Sequence, residues 1–378
     1  MREKLLNFIE CKRCNSPYEL TVFKAEDDLI EAGLLKCTSC GNEHCIISGI
    51  PRFVPVKYLQ HNEEIKHGLA QYRQQFKSLL ADESELDKET SADPKPREVK
   101  ERTAVTFGFE WRHFREWGWI EEGGVSQERK KYDLFGGLVS DTENAFKTKC
   151  ILDKDEISEH RLMLDAGCGN GRFTNIASRH GAEICGVDIG YGVQTAYNHL
   201  KNNKKIHIIH GDLFALPFRE KIFDSAFSVG VLMHTGNAKS AFHSVSKHIK
   251  PGGVFVAHLY HKGNFIFEIV DYSIRFITTR MSVEKNMKFA RWMAGIGKRL
   301  KERGALNRCY PYVRILPTII HMYDWYSAPV ATHHTYKEVK RWYKDAGFEI
   351  VRTKEQPMRF WRFLHRPESL TLKGKRIK

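Results

Sequence analysis

From residue 161 onward the chain alternates between two hydrophobic patterns. Short apolar runs occur at Arg161–Cys168, Glu183–Ile189, Ile206–Asp212, Phe223–Gly230 and Gly253–Tyr260, and these predict strands. Between most of them lie stretches with apolar residues at helical spacing, at Gly171–His180, Tyr191–Asn202 and Ala238–Ile249. A further helix is predicted near Thr335–Ala346, followed by strands at Phe348–Lys354 and Met358–His365 that pair as a closing hairpin. Strands alternating with amphipathic helices predict an α/β fold: a parallel sheet with helices on both faces. Residues 261–330 break the alternation. FIFEIVDYSIRFI and ARWMAGIGKRLKERG within them have helical periodicity, with basic residues on the polar side, and predict a helical cap insert.

Ahead of this region the pattern changes twice. Residues 1–56 carry two cysteine pairs. Residues 57–102 mix acid and base and end in LADESELDKETSADPKPREVKER, which predicts a helix followed by an exposed linker. The third zone is 103–378.

The first predicted strand runs into LMLDAGCGNGRF (162–173), with Asp165 two residues before Gly167 and further glycines at Gly169 and Gly171. A glycine-rich turn between strand and helix brings a ligand close to backbone N–H groups and a helix N-terminus. The dinucleotide pattern G-x-G-x-x-G places its third glycine one residue later, and a pyrophosphate gains nothing from an adjacent carboxylate. A ligand bearing an ammonium group does gain from it, and S-adenosylmethionine is such a ligand. On that reading Asp165 serves the methionyl ammonium, directly or through water and backbone, and the turn's N–H groups serve the carboxylate. Two more strands end in acids. In GVDIG (186–190) Asp188, next to Ile189, suits a bidentate bond to ribose hydroxyls. In HGDLFALPF (210–218) Asp212 is placed to accept from an adenine amino group, with Leu213 beside the ring.

Taken in order, LMLDAGCGNGRF, GVDIG, GDLFALPF, FDSAFSVGVLMH and IKPGGVFVAHLY resemble the class I S-adenosylmethionine-dependent methyltransferases, in particular the broad group labelled methyltransferase type 11. The resemblance covers about residues 105–260 plus the closing strands. It implies a Rossmann-like, seven-stranded sheet and S-adenosylmethionine as cofactor, and leaves the acceptor open because this fold hosts many. It also implies that the aromatic segment FGFEW (107–111) helps cover the cofactor, with Phe109 and Trp111 nearest to it. His234, just past the fourth strand, becomes the leading general-base candidate, with Tyr260 and His258 as lesser ones. Asp324, Trp325, Tyr326 and His334, in the segment that re-enters the main domain, are candidates for the acceptor pocket.

Of the nine cysteines, four form CKRC (11–14) and CTSC (37–40). Two C-x2-C pairs at this separation predict a four-thiolate zinc site at Cys11, Cys14, Cys37 and Cys40, with a hairpin filling residues 15–36. Four protein ligands leave no open position, so the zinc is expected to be structural. His44 and Cys45 are read as spares. The block resembles the short zinc ribbon known as the activating partner of tRNA and protein methyltransferases.

The net charge of +14 suits phosphate-rich partners, but the basic residues are spread without a dense block. No signal-peptide pattern opens the sequence and no apolar run is long enough to span a bilayer, so a cytoplasmic location is expected. The insert leaves peripheral membrane contact open. The favoured expectation is methyl transfer to a small or carrier-linked acceptor, such as a sugar, a lipid-linked intermediate or a secondary metabolite. The alternative is an RNA methyltransferase that docks its substrate through the ribbon. The N-P-P-F/Y-like signature of base-amine methylation is absent after the fourth strand, which reads SVGVLMH.

Overall fold

The computed structural model describes residues 1–59, 62–81, 94–121, 138–158, 161–354 and 369–377. The chain begins with an antiparallel unit of four strands, β1 (Tyr18–Glu26), β2 (Leu29–Cys37), β3 (Glu43–Ile47) and β4 (Ile50–Phe53). The β1–β2 hairpin fills the interval between the two cysteine pairs. Parallel strands β5 (Leu162–Ala166), β6 (Glu183–Asp188), β7 (Ile206–Gly211), β8 (Phe223–Val229) and β9 (Ile249–Tyr260) follow. The chain ends in β10 (Phe348–Lys354) and β11 (Ser369–Arg376).

All eleven strands join in one sheet, in the order β1-β2-β3-β4-β7-β6-β5-β8-β9-β11-β10. Strands β5 to β11 are the seven expected of the Rossmann-like sheet, and the N-terminal unit adds four. The join is parallel pairing of β4 with β7, Arg52 opposite His210 and Phe53 opposite Gly211. The central strands are apolar on both faces because helices cover both sides; every residue of β7 and all but the first of β5 are buried.

The closing hairpin differs from expectation. Met358–His365 lies outside the described residues, and the strand that pairs with β10 is β11. It runs antiparallel to both β9 and β10, with Leu370 opposite Leu259 and Leu372 opposite Ala257. Its alternation is atypical because Lys373 is also buried, held by Asp153 at 2.6 Å and by Glu156.

The charged segment also differs. Helices occupy Glu63–Gln71 and Lys77–Ala81, and the expected linker does not extend to 102, because a helix spans Pro94–His113. Proline is tolerated there since it sits in the first turn, where its missing N–H has no helical partner in any case. This helix lies against the loop after β6. A Cβ on Gly108 would stand 2.9 Å from the Tyr191 ring, so the close approach requires glycine.

The insert is helical as expected, with helices at Phe265–Thr278, Val283–Glu302 and Ile319–Ser327. It is anchored by buried polar contacts: Trp325 Nε1 donates to Asp271 at 2.6 Å, and Arg275 donates to the Trp325 and Ala328 carbonyls. No helix among the described residues is long and apolar enough to cross a membrane.

Candidate active site and cysteine centre

The chain runs outward from β5 through β6 to β7, then returns to β8 on the other side of β5. This reversal opens a crevice at the carboxyl ends of the strands, where open α/β sheets bind ligands. A cleft lies there with about 910 Å³ of empty space, counted to its open mouth. Gly167, Gly169, Asp188, Ile189, Asp212, Leu213, Trp111 and His234 all line it.

The glycine turn is built on left-handed backbone, with φ of +96°, +54° and +81° at Gly167, Gly169 and Gly171. At Gly169 a Cβ would also stand 2.8 Å from Trp111 Nε1, so the indole lies directly over bare backbone. Asp188 braces the turn: one carboxylate oxygen accepts from Gly169 N–H at 3.0 Å and the other from Gly190 N–H at 2.7 Å. Each oxygen keeps a second lone pair for a ligand. Burial raises its pKa, against the pull of these backbone donors.

Asp165 is placed differently from its neighbours. It is buried beneath the turn, accepts from Thr174 Oγ1 at 2.7 Å, and is not among the residues lining the cleft. Burial pushes its pKa up to about 7. Its placement is that of a brace under the loop, so any contact with a ligand ammonium has to pass through intervening atoms. Gly171 is likewise behind the turn, against Ala196 and Leu200.

Asp212 caps the short turn after β7, accepting from Phe214 N–H at 3.0 Å, and its other oxygen pairs with Lys100 at 2.7 Å. Lys100 is a site residue that sequence reading missed, because it fell in the segment read as linker. The helix that carries it also places Thr103, Phe107 and Trp111 in the cleft. Phe109 points elsewhere, stacking on His113 and packing near Tyr323. The helical spacing of 103, 107 and 111 explains which aromatics face the cleft.

His234 is buried. Its Nδ1–H donates to the Val330 carbonyl at 2.7 Å, and its Nε2 has no partner among the described residues. Burial lowers its pKa to about 3, so the ring is neutral and Nε2 is a bare acceptor. Tyr260 meets it edge-on at 5.4 Å. The Tyr260 hydroxyl donates to Asp324 at 3.3 Å, and burial raises its pKa well above the usual phenol value. Asp324, whose pKa burial also raises, lines both this cleft and a second cavity beside it. Trp325 and His258 line the second cavity. Tyr326 and His334 do not: Tyr326 donates to the Arg314 carbonyl, and His334 bonds Thr332 and Glu338.

In the N-terminal unit the four cysteine sulfurs lie within 4.8 Å of one another. Cys11 and Cys40 are 3.5 Å apart, Cys14 and Cys37 3.3 Å. A tetrahedral ion with metal–sulfur bonds of about 2.3 Å separates its ligands by roughly 3.8 Å, so the cluster fits zinc. The two knuckles are built alike. Asn15 and Gly41, which follow them, have φ of +57° and +71°, and their N–H groups donate to the Cys11 and Cys37 carbonyls. His44 bonds Asn42 and packs on Phe53, and Cys45 is in the core, so neither joins the cluster.

Residues 164–257 match the family described as "Methyltransferase domain". Among curated proteins, 24-methylenesterol C-methyltransferase 3 of Arabidopsis thaliana is 26% identical over 148 residues, which are 38% of this chain and 40% of that protein. The chain thus spans less than half the length of this relative. Among solved structures, the complex of the Haloferax volcanii Trm112 methyltransferase activator with a putative methyltransferase aligns at a TM-score of 0.38 and 14% identity, covering 62% of this chain and 92% of that one. Magnesium protoporphyrin IX methyltransferase from Synechocystis PCC 6803, with bound SAH, aligns at 0.42 and 17% identity, covering 74% and 98%. The glycine turn, Asp188 and Asp212 all lie inside the matched domain, as does His234.

Proposed function

We propose that this chain is an S-adenosylmethionine-dependent methyltransferase acting on a small or carrier-linked acceptor. The observation that carries the reading is the convergence in one cleft of the glycine turn on β5 with acids ending β6 and β7. Asp188 suits the ribose hydroxyls. Asp212, Ile189 and Leu213 suit the adenine end, and the backbone N–H groups of the turn, with Arg172 beside them, suit the methionyl carboxylate. When bound, S-adenosylmethionine would supply an electrophilic methyl group, and the chain's own groups would align the acceptor with it and take up any proton the acceptor releases.

The chain's own groups divide the remaining work. Trp111 covers the turn and limits water. His234 Nε2 orients an acceptor O–H or N–H by accepting its hydrogen bond, but a ring held neutral with so low a pKa is a poor proton acceptor. Asp324, whose carboxyl burial raises above the usual carboxylate range and which sits where the two cavities meet, is the better base, with Tyr260 positioning it. Four thiolates on zinc would leave the metal no open position, which supports a structural role for the ribbon.

The enclosing insert supports a small or carrier-linked acceptor. Its Phe265–Thr278 helix leaves Phe265, Ile266, Ile269, Tyr272, Phe276 and Ile277 at least half exposed, a face that suits an acceptor presented on a lipid surface. An RNA acceptor docked by the ribbon draws less support, because β4 is engaged with β7 and helices roof the second cavity. Isothermal titration of S-adenosylmethionine into the protein and into Asp188→Ala tests the reading. Binding by the wild type and its loss, by at least about tenfold, in the variant is expected. A folded wild type that does not bind refutes it.

A further inference from the structure

The second cavity has about 1330 Å³ of empty space on the same measure, and it shares Trp111, Arg172 and Asp324 with the cofactor cleft. Its remaining charged groups come from separate elements: Glu110 from the Pro94–His113 helix, Lys149 from the end of the Val139–Cys150 helix, and Arg314 from the loop before the Ile319–Ser327 helix. Lys149 and Arg314 do not line the cofactor cleft, so their charge serves whatever fills the second cavity.

Among the described residues, three cations, Lys149, Arg172 and Arg314, line it with two carboxyls, Glu110 and Asp324. Neither the Lys149 ammonium nor the Arg172 guanidinium has a carboxylate within ion-pair range among the described residues. Glu110 does not compensate them: it is 1% exposed, its Oε2 has no partner among the described residues, and burial pushes its pKa well above the carboxylate range. A protonated Glu110 is a hydrogen-bond donor to an anion. His321, also on the wall, is held neutral by burial and by the same three cations. Burial and the nearby Arg172 lower the Lys149 pKa to about 8, as expected of a cation waiting for a counter-charge.

We propose that this chamber holds the acceptor by an anionic, oxygen-bearing group, a carboxylate or a phosphate, seated on Lys149 and Arg314 with Glu110 donating to it. Arg172 stands between that group and the cofactor cleft. Calling the occupant an acceptor rests on the methyltransferase reading; the anion site rests on the chamber itself. Arg314 supplies planar, two-point recognition and Lys149 a point charge. The acceptor atom then lies toward Asp324 and His234, on the cleft side.

The test uses the full-length protein, first titrated with S-adenosylhomocysteine and then, saturated with it, with inorganic phosphate and separately with benzoate. Binding of either anion at millimolar concentration or better is expected. Phosphate binding would indicate a phosphorylated acceptor and benzoate binding a carboxylic acid. Lys149→Gln and Arg314→Gln should each weaken the anion by about tenfold and leave S-adenosylhomocysteine affinity nearly unchanged, while Lys149→Arg retains anion binding. A wild type that binds S-adenosylhomocysteine but neither anion overturns the inference and leaves the methyltransferase reading standing. So does anion binding that both glutamine variants retain. If S-adenosylhomocysteine does not bind, the methyltransferase reading fails, and the same anion titrations on the free protein still decide the chamber.

Discussion

Arg52 joins the cysteine-bearing unit to the cofactor cleft, and replacing it with alanine measures that junction. Its side chain is fully buried on β4. Nη2 donates to the Ile47 carbonyl at 3.1 Å and to Gln194 Oε1 at 2.9 Å, and Nη1 donates to His210 Nδ1 at 3.2 Å. The ring of His210 passes the connection on, its Nε2–H donating to the Ile189 carbonyl at 2.9 Å in the loop that lines the cleft. Arg52→Ala leaves three acceptors without their donor: the buried Ile47 carbonyl and His210 Nδ1, at about 1–3 kcal/mol each, and the half-buried Gln194 Oε1, at less. Part of that sum is returned, because the guanidinium is itself desolvated without a carboxylate partner; burial lowers its pKa to about 10. The lower end, about 2–3 kcal/mol, is therefore the expected loss. Urea unfolding followed by tryptophan fluorescence reads it as a midpoint lowered by about 1 M or more. S-adenosylmethionine should also bind more weakly, since the Ile189 loop loses its brace. A loss below about 0.5 kcal/mol, the level of an ordinary surface substitution, would refute the reasoning.

Three further outcomes are expected. The protein should carry one zinc per chain by elemental analysis, and stripping it with a strong chelator should lower the melting temperature by on the order of ten degrees; a metal-free protein indifferent to chelators would remove the zinc assignment. Asp165 has a folded-state pKa raised from about 4 to about 7, so its contribution to stability is full below about pH 4 and is lost as pH rises through 7, by up to about 4 kcal/mol. Asp165→Asn should flatten that part of the stability–pH curve, and an unchanged slope would count against the buried carboxyl. Ile269→Asp with Tyr272→Asp should abolish co-flotation with anionic liposomes, and a wild type that does not float excludes the lipid-surface reading of that helix.

What could be read from the sequence was local. The glycine turn and its acids lie within a few residues of their strand ends, and the C-x2-C pairs are complete in themselves. The pieces that escaped are long-range. Lys100 meets Asp212 only because the Pro94–His113 helix folds back over the crevice, and its charged, proline-containing start reads as linker. In FGFEW the helical phase selects Phe107 and Trp111 for the cleft and turns Phe109 away, which spacing shows only once the segment is known to be helical. Lys149 lies before the first central strand and Arg314 inside the insert, so nothing local marks them as neighbours. The final strand escapes local reading because SLTLKGKR buries a lysine whose partners, Asp153 and Glu156, lie far back in the chain.

The two edges of the sheet show how the N-terminal unit is built onto the strands that carry the candidate site. At the far edge β10 pairs only with β11 among the described residues, and it exposes Glu349, Arg352 and Lys354 along a register-shifted strand, charges that discourage pairing with other chains. The opposite edge of the Rossmann-like sheet would be β7, which has no such protection because every one of its residues is buried. β4 pairs with its last two residues, His210 and Gly211, and brings an arginine whose hydrogen bonds continue through His210 to Ile189. The strand that joins the edge therefore also holds one wall of the candidate cleft. Loss of metal, of Arg52 or of the β4–β7 pairing should thus appear together as lower stability and weaker cofactor binding. A protein in which the ribbon unfolds while S-adenosylmethionine affinity stays unchanged would show that the two are separate units.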